Sequence, residues 1–366
     1  MKIVISTDCF LPRWDGVARF LSLIIPSLKK HAEIVVFAPD FPGKHRSLTR
    51  VVRFPLFNLS FGDIQFCKPD IKKIEAEIKT ADVVFNQTVG PVGLAAIYVA
   101  KKLNKPVVSF VHSIDWELAS NAVKFGKKIT YFFVRLFARW LYNHCSLLLV
   151  PSKQVASVLA MNHIITRSAV IKLGVPVTKF VPLSSKSSAK KKLNIPKSNK
   201  VIGFCGRIAR EKDLPTLFAA FDIVLKKLKN VQLLLVGEGV SSLVPKSNNI
   251  LWVGNQTNVV PFLQAMDVFV LPSLTETTSF ATLEAMACGV PVVTTPVGVG
   301  QQIKNGESGL VFARGDANEL ANKLIKLLSD KSIAKILSVN GRQFVEKEYN
   351  WKNTEKKVFA ELRRFV

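Results

Sequence analysis

The sequence predicts an α/β protein made of two doubly wound domains of similar size. Three observations predict it. The 366 residues exceed one ordinary domain and suit two. Short, continuous apolar runs alternate with helical patterns in both halves, as parallel strands covered on both faces require. A stretch rich in Ser, Lys and Pro separates the halves.

The first half reads as a strand at 2–6, a helix at 17–28 and a strand at 33–38. Further strands follow at 82–86, 107–111 and 147–150, with a helix at 93–103. Residues 176–200 carry Pro176, Pro182 and Pro196 and little apolar periodicity, so the linker is set at 179–200. Strands at 201–206, 231–236, 268–271 and 290–294 then resume the alternation. A helix at 213–228 takes Asp213 as its cap and Pro215 in its first turn. Residues 318–365 are mainly helical. The expected domains are 1–178 and 201–346, with a C-terminal helix at 347–366 that packs back on the first domain. Ligands of such sheets bind at the carboxyl ends of the strands, here facing an inter-domain cleft.

The net charge is +25, which calls for an anionic partner: nucleic acid, an anionic membrane surface or a phosphorylated substrate. Residues 1–183 hold +14 of it and the rest +11, so no single basic arm exists and no nucleic-acid partner is expected. The five cysteines (Cys9, Cys67, Cys145, Cys205, Cys288) are odd in number and lack CxxC spacing. They imply neither a disulfide framework nor a zinc ribbon, and suit a reducing cytoplasm. Asp8, Arg13, Asp15 and Arg19 interrupt any signal-peptide pattern. Residues 129–150 form the best membrane-span candidate, but Arg135, Arg139 and His144 break it.

Three strand-end loops carry groups suited to chemistry. In the first, Asp15-Gly16 precedes a helix, and glycine there lets backbone N–H groups approach an anion. The same turn also occurs in α/β proteins for backbone reasons alone. In the second, Gly206-Arg207 and Glu211-Lys212 place two cations before a helix. They suit a diphosphate, and equally a solvated basic loop. The third spans 275–291. Glu276 and Glu284 flank Thr277, Thr278 and Ser279, and Ser279 can cap a helix that starts at Phe280 and Ala281. Two carboxylates beside open helix N–H groups can hold hydroxyls at both ends of a phosphate-bearing ligand, although surface glutamates share that spacing.

The third loop reads Glu276-Thr-Thr-Ser-Phe-Ala-Thr-Leu-Glu284-Ala285-Met286-Ala287-Cys288-Gly289-Val290-Pro291. With Gly206-Arg207, Glu211-Lys212 and Gly237-Glu238-Gly239, it resembles the family-4 glycosyltransferases, glycosyl transferases group 1. The resemblance extends over most of 201–312. It continues more weakly through the first half, where Gly16 matches the family's glycine loop and His112 its active-site histidine. It implies a GT-B fold of two Rossmann-like doubly wound domains facing a cleft. It also implies transfer of a hexose, with retention, from a UDP- or GDP-sugar to a hydroxyl acceptor, lipid-linked or a growing glycan.

The roles implied by resemblance are specific. Glu276 would contact the donor sugar and Glu284 the ribose. Arg207, Lys212 and the N–H groups of Phe280 and Ala281 would neutralise the leaving diphosphate, and His112 would lie near the reacting sugar. Three departures stand out: Ser279 and Thr278 replace the usual Gly and Phe, Gln301 replaces a Glu, and Leu173 replaces an Asn. No Asp-x-Asp and no metal-ligand spacing occurs, so no metal or other cofactor is expected and the nucleotide sugar is a substrate.

Residues 124–144 mix Lys and Arg with aromatics on a predicted helix. Its apolar face is expected to be buried in the first domain, and its charge is expected to meet an anionic bilayer from the cytoplasmic side. Two alternatives remain at this point. A sugar-nucleotide epimerase on the same scaffold would need acid/base carboxylates, for which only Asp115 and Glu117 offer themselves. A basic nucleic-acid-binding protein would need clustered charge.

Overall fold

The computed structural model describes residues 1–13, 15–43, 49–61, 64–123 and 125–366. The chain divides into two compact units. The first is Met1–Lys172 with Thr354–Val366, and the second is Leu173–Asn353.

In the first unit the order is β1 (Lys2–Ser6), α1 (Gly16–Leu28), β2 (Glu33–Pro39), β3 (Arg50–Phe54), β4 (Leu56–Phe61), β5 (Ile64–Cys67), α2 (Ile71–Lys79) and β6 (Val83–Asn86). Then come α3 (Pro91–Lys102), β7 (Val107–Phe110), α4 (Asp115–Ala122), α5 (Lys127–Tyr142), β8 (Leu147–Val150), α6 (Lys153–Met161) and β9 (Ser168–Val170). Seven strands form one parallel sheet in the order β3-β2-β1-β6-β7-β8-β9, while β4 and β5 make an antiparallel ribbon. Every residue of β6, β7 and β8 is buried. This is why those strands read as unbroken apolar runs rather than alternating ones.

The second unit holds α7 (Lys186–Lys192), β10 (Lys200–Cys205), α8 (Leu214–Lys227), β11 (Val231–Val236), β12 (Ile250–Trp252), α9 (Val260–Ala265), β13 (Val268–Leu271) and α10 (Phe280–Ala287). It continues with β14 (Val292–Thr294), β15 (Leu310–Val311), α11 (Ala317–Ser329) and α12 (Lys331–Glu348). Its six-stranded sheet is parallel, in the order β12-β11-β10-β13-β14-β15. In both sheets the strand order reverses beside the first strand of the unit, the point at which doubly wound sheets bind ligands.

Residues 179–200, expected as a linker, belong to the second unit. Phe180 and Ile195 are buried in its core. Lys190 is buried as well, its ammonium 2.7 Å from Asp267 and donating to the carbonyl of Asn199 at 2.7 Å. Asp267 also accepts from the Val201 N–H at 2.8 Å. The segment is thus fastened to the start of β10, which its polar composition conceals. At the other end, α13 (Trp351–Arg363) begins in the second unit and finishes in the first. There Thr354 donates to the Lys172 carbonyl, Ser27 donates to Glu355, and the rings of Phe359 and His31 lie 4.6 Å apart.

The helix after β10 departs from expectation in one detail. Asp213 occupies the cap position with φ of 48°, and its side chain does not cap a backbone N–H. Its carboxylate instead accepts from the Thr216 hydroxyl at 2.7 Å.

Candidate functional site

In the first unit a buried polar line crosses the carboxyl ends of the central strands. Ser6 donates to Asn86 at 2.9 Å, and Asn86 donates to Ser109 at 2.9 Å. The parallel register sets these three side by side on β1, β6 and β7. Buried polar groups persist where they satisfy one another, and this row does. Just past it the chain carries Asp8, Gln87 and His112, one after each strand.

Asp8 is buried against the start of α3. It accepts from the Thr88 hydroxyl at 2.6 Å and from the N–H groups of Val92 and Gly93 at 2.9 and 3.3 Å. Burial raises its pKa, and those donors oppose the rise. Asp8 therefore serves the helix terminus. Gly16 is the first residue of α1, whose cap is Asp15, accepting from the Ala18 N–H at 2.9 Å. A Cβ at Gly16 would meet nothing within 4 Å, so crowding does not explain the glycine.

His112 lies 4.7 Å from the Phe110 ring, stacked on it, and 5.0 Å from Phe20. Burial pushes its pKa down from 6.5 to about 3, so the ring is neutral at ordinary pH. Nε2 is 2.9 Å from the side-chain oxygen of Gln87. That oxygen only accepts, because the Gln87 amide nitrogen donates to the Phe85 carbonyl at 3.3 Å. Nε2 therefore carries the proton, which leaves Nδ1 as the acceptor atom of the ring. Sequence reading missed Gln87. The available signal was its place directly after a buried strand, matching that of His112.

Asp115 is held by Tyr142 and Ser113, which donate to it at 2.6 and 3.0 Å. Burial raises its pKa while these donors lower it. Its acceptor capacity joins α4 to α5, which removes the main carboxylate an epimerase would need.

In the second unit the loop after β10 and the loop after β13 meet. The Leu274 N–H donates to the Glu211 carbonyl at 2.9 Å. Lys212 Nζ is 2.5 Å from Glu276 Oε1, and Ser273 donates to the same oxygen at 3.0 Å. Arg207 pairs with buried Glu211. Lys212, Glu276 and Arg207 keep 18%, 14% and 35% of their side-chain surface accessible. Gly237-Glu238-Gly239 braces this loop from behind. Ile208 donates to the Glu238 carbonyl and Val240 donates back to the Ile208 carbonyl, both at 2.8 Å. A Cβ on Gly237 would fall 2.0 Å from the Gly206 carbonyl oxygen, so only glycine fits.

Ser279 caps α10, its hydroxyl accepting from the Thr282 N–H at 3.4 Å, but with φ of 76°. That left-handed conformation explains why glycine is the residue the resemblance leads one to expect here. Phe280 and Ala281 begin α10 and are partly accessible. Glu284 is placed differently from Glu276. It lies inside α10 with no accessible surface. Gly298 packs on this loop from the other side, and Val299 donates to the Thr278 carbonyl at 2.9 Å. Gln301 is exposed.

All five cysteines are free thiols. Among the described residues, no three His, Cys, Asp or Glu side chains are grouped so as to hold a metal ion.

Comparison with known proteins identifies the family and the fold. The sequence model described as Glycosyltransferase Family 4 matches residues 14–179, and that described as Glycosyl transferases group 1 matches 199–330. An alpha-monoglucosyldiacylglycerol synthase of Streptococcus pneumoniae is 25% identical over 312 residues, 80% of this chain and 70% of that protein. The capsular polysaccharide biosynthesis glycosyltransferase CapM of Staphylococcus aureus is 33% identical over 162 residues, which span 42% of this chain and only 43% of CapM. In fold, the chain superposes on Anabaena HepE, solved with UDP-glucose, with a TM-score of 0.81 over all of both chains at 18% identity. The chain belongs to the family-4, group 1 glycosyltransferases and has their GT-B fold of two Rossmann-like domains.

Proposed function

We propose that this glycosyltransferase moves a hexose from a UDP- or GDP-sugar to a hydroxyl acceptor, with retention and without a metal ion. The observation that carries the proposal is the accessible Lys212–Glu276 pair beside the start of α10. A diphosphate needs fixed positive charge where its negative charge develops. Lys212 and Arg207 supply it by exchanging Glu276 and Glu211 for the diphosphate, and the first N–H groups of α10 add to it. Glu276 is then released from Lys212 to accept hydrogen bonds from sugar hydroxyls. Glu284 as the ribose partner follows from the family resemblance. His112 offers a neutral ring, and its place near the reacting sugar follows from the family resemblance. Gly16, uncrowded at the start of α1, leaves room for a ligand to approach that helix end.

The names of two relatives support a lipid-linked acceptor. One is the diacylglycerol glucolipid synthase above. The other is a GDP-mannose-dependent phosphatidylinositol monomannoside mannosyltransferase of Corynebacterium glutamicum, 31% identical over 195 residues.

A panel of UDP-, GDP- and ADP-sugars tests the reading, first for binding and then for slow hydrolysis. Glu276→Gln and Lys212→Ala are each expected to lower kcat/KM by about 100-fold or more while the fold survives. Full activity in either variant sinks the assignment. Turnover that stops in EDTA sinks the metal-free part, and an inverted anomeric centre in the product, read by NMR, sinks retention.

A further inference from the structure

The apolar face of α5 is not covered by the first unit. Ile129, Phe132, Phe133, Leu136, Phe137 and Trp140 recur at i, i+3, i+4, i+7, i+8 and i+11, the spacing that ordinarily faces a core. In the structure all six are exposed, from 38% for Phe137 to 66% for Ile129. The helix instead anchors itself by the opposite side, through Ala138, Leu141 and Tyr142. The expectation that this apolar face is buried is therefore overturned. The first residue of the basic-aromatic segment, 124, lies outside the described residues.

The stripe spans roughly 140° of the helix at about 100° per residue, and Lys128, Arg135 and Arg139 fall along one flank. Its rings pack on one another at the surface. Phe132 and Phe133 meet edge-on at 5.6 Å, and Phe137 and Trp140 lie parallel at 6.5 Å. Arg135 sits over the Tyr131 and Phe132 rings, 5.9 Å from each centroid. The chain through α5 is one-sided in charge: residues 118–172 contain eight Lys and Arg and no Asp or Glu, and the acids of the neighbouring α4 are Asp115, which accepts from Tyr142, and Glu117.

We infer that α5 is a docking surface for an anionic lipid bilayer, lying in the interface with its aromatic stripe inserted. Aromatic and aliphatic side chains on one face with cations on the flank fit the boundary between headgroups and acyl chains. The charge selects this occupant. A second copy of the chain would bring the same Lys128, Arg135 and Arg139 flank against itself and be repelled, whereas anionic headgroups are attracted. Among the described residues no helix is long and apolar enough to cross a membrane, so the contact is made along the surface. The inference concerns a helix outside the donor-binding loops and stands whether or not the proposed donor chemistry is right.

The test is co-sedimentation of the full chain with vesicles of phosphatidylcholine alone and of phosphatidylcholine mixed with phosphatidylglycerol. Recovery with the anionic vesicles, well above that with neutral ones, is expected. Phe133→Ser with Trp140→Ser should weaken vesicle affinity by at least about tenfold. Lys128→Ala and Arg139→Ala should each weaken it by about fivefold at low salt, the effect fading as salt rises. These side chains are exposed, so circular dichroism melting of every variant should match the parent. Equal recovery with both vesicle types overturns the inference, as does wild-type binding by the aromatic double variant. A parent dimer that the double variant converts to monomer in vesicle-free sedimentation also overturns it, because the face would then belong to a second copy.

Discussion

In the second unit Lys212 and Glu276 meet as ions on the loops after β10 and β13. In the first unit His112 stands after β7 as a neutral ring between Phe20 and Phe110. The sheets are alike, and both sites use the ends of strands. The surroundings differ. The ion pair keeps some contact with solvent and sits on backbone loops that brace each other. The imidazole is desolvated by rings and directed by the Gln87 amide. An ion pair costs less where it keeps contact with solvent, whereas a neutral group that only donates or accepts a hydrogen bond can be buried.

The sharpest way to break this comparison is to disturb the brace. Gly237→Ala drives a Cβ into the Gly206 carbonyl at a φ of 130°, and no flexible side chain can yield. A loss of about 3 kcal/mol or more, with transfer activity, is expected in urea denaturation. Gly254→Ala has positive φ but nothing within 4 Å, so it should cost about 1 kcal/mol. Equal losses would mean the contact with Gly206 is unimportant.

The buried imidazole predicts a smaller, pH-dependent effect. Its folded pKa of about 3 lies below the unfolded 6.5, so between these values the unfolded chain binds more protons. Its contribution to stability is present above pH ~6.5 and is lost as pH falls towards ~3, by at most about 1.4 kcal/mol per pH unit. Asp8 and Asp115 have raised pKa values and act in the opposite sense, so the informative quantity is the difference between parent and His112→Gln. The parent should lose stability more steeply on acidification. Parallel curves would show that the ring is not buried as a neutral group.

Ser279 gives the smallest effect. Ser279→Ala keeps the left-handed strain and loses the cap, costing about 1 kcal/mol. Ser279→Gly relieves the strain and should stay within about 0.5 kcal/mol of the parent. Thermal melts that rank alanine above glycine would refute the strained-cap account.

Much of the second unit's site was legible in the order of residues. Gly206–Lys212 and Glu276–Gly289 are short local segments whose chemistry sits on strand ends that apolar runs already mark. What was not legible depended on long-range partners. Lys190 is buried because Asp267 waits 77 positions away, and so a segment that reads as a linker is part of a domain. Gln87 stands directly after a buried strand, but its pairing with His112 became visible only once β6 and β7 were adjacent. Glu284 matched its motif but proved inaccessible, since spacing along a helix does not say what covers it.

While the edge strands β3, β9, β12 and β15 escaped it, the sequence by itself determined the two α/β domains, their central strands and the loops that carry the family motif. Those rest on local periodicity, turn residues and contiguous motifs. The tertiary structure decided which groups meet: Lys212 with Glu276, His112 with Gln87, Asp115 with Tyr142. It also decided that α5 turns its apolar stripe outward. The period of a helix specifies which residues share a face. Only the packing of the rest of the chain settles whether that face meets a core or the solvent.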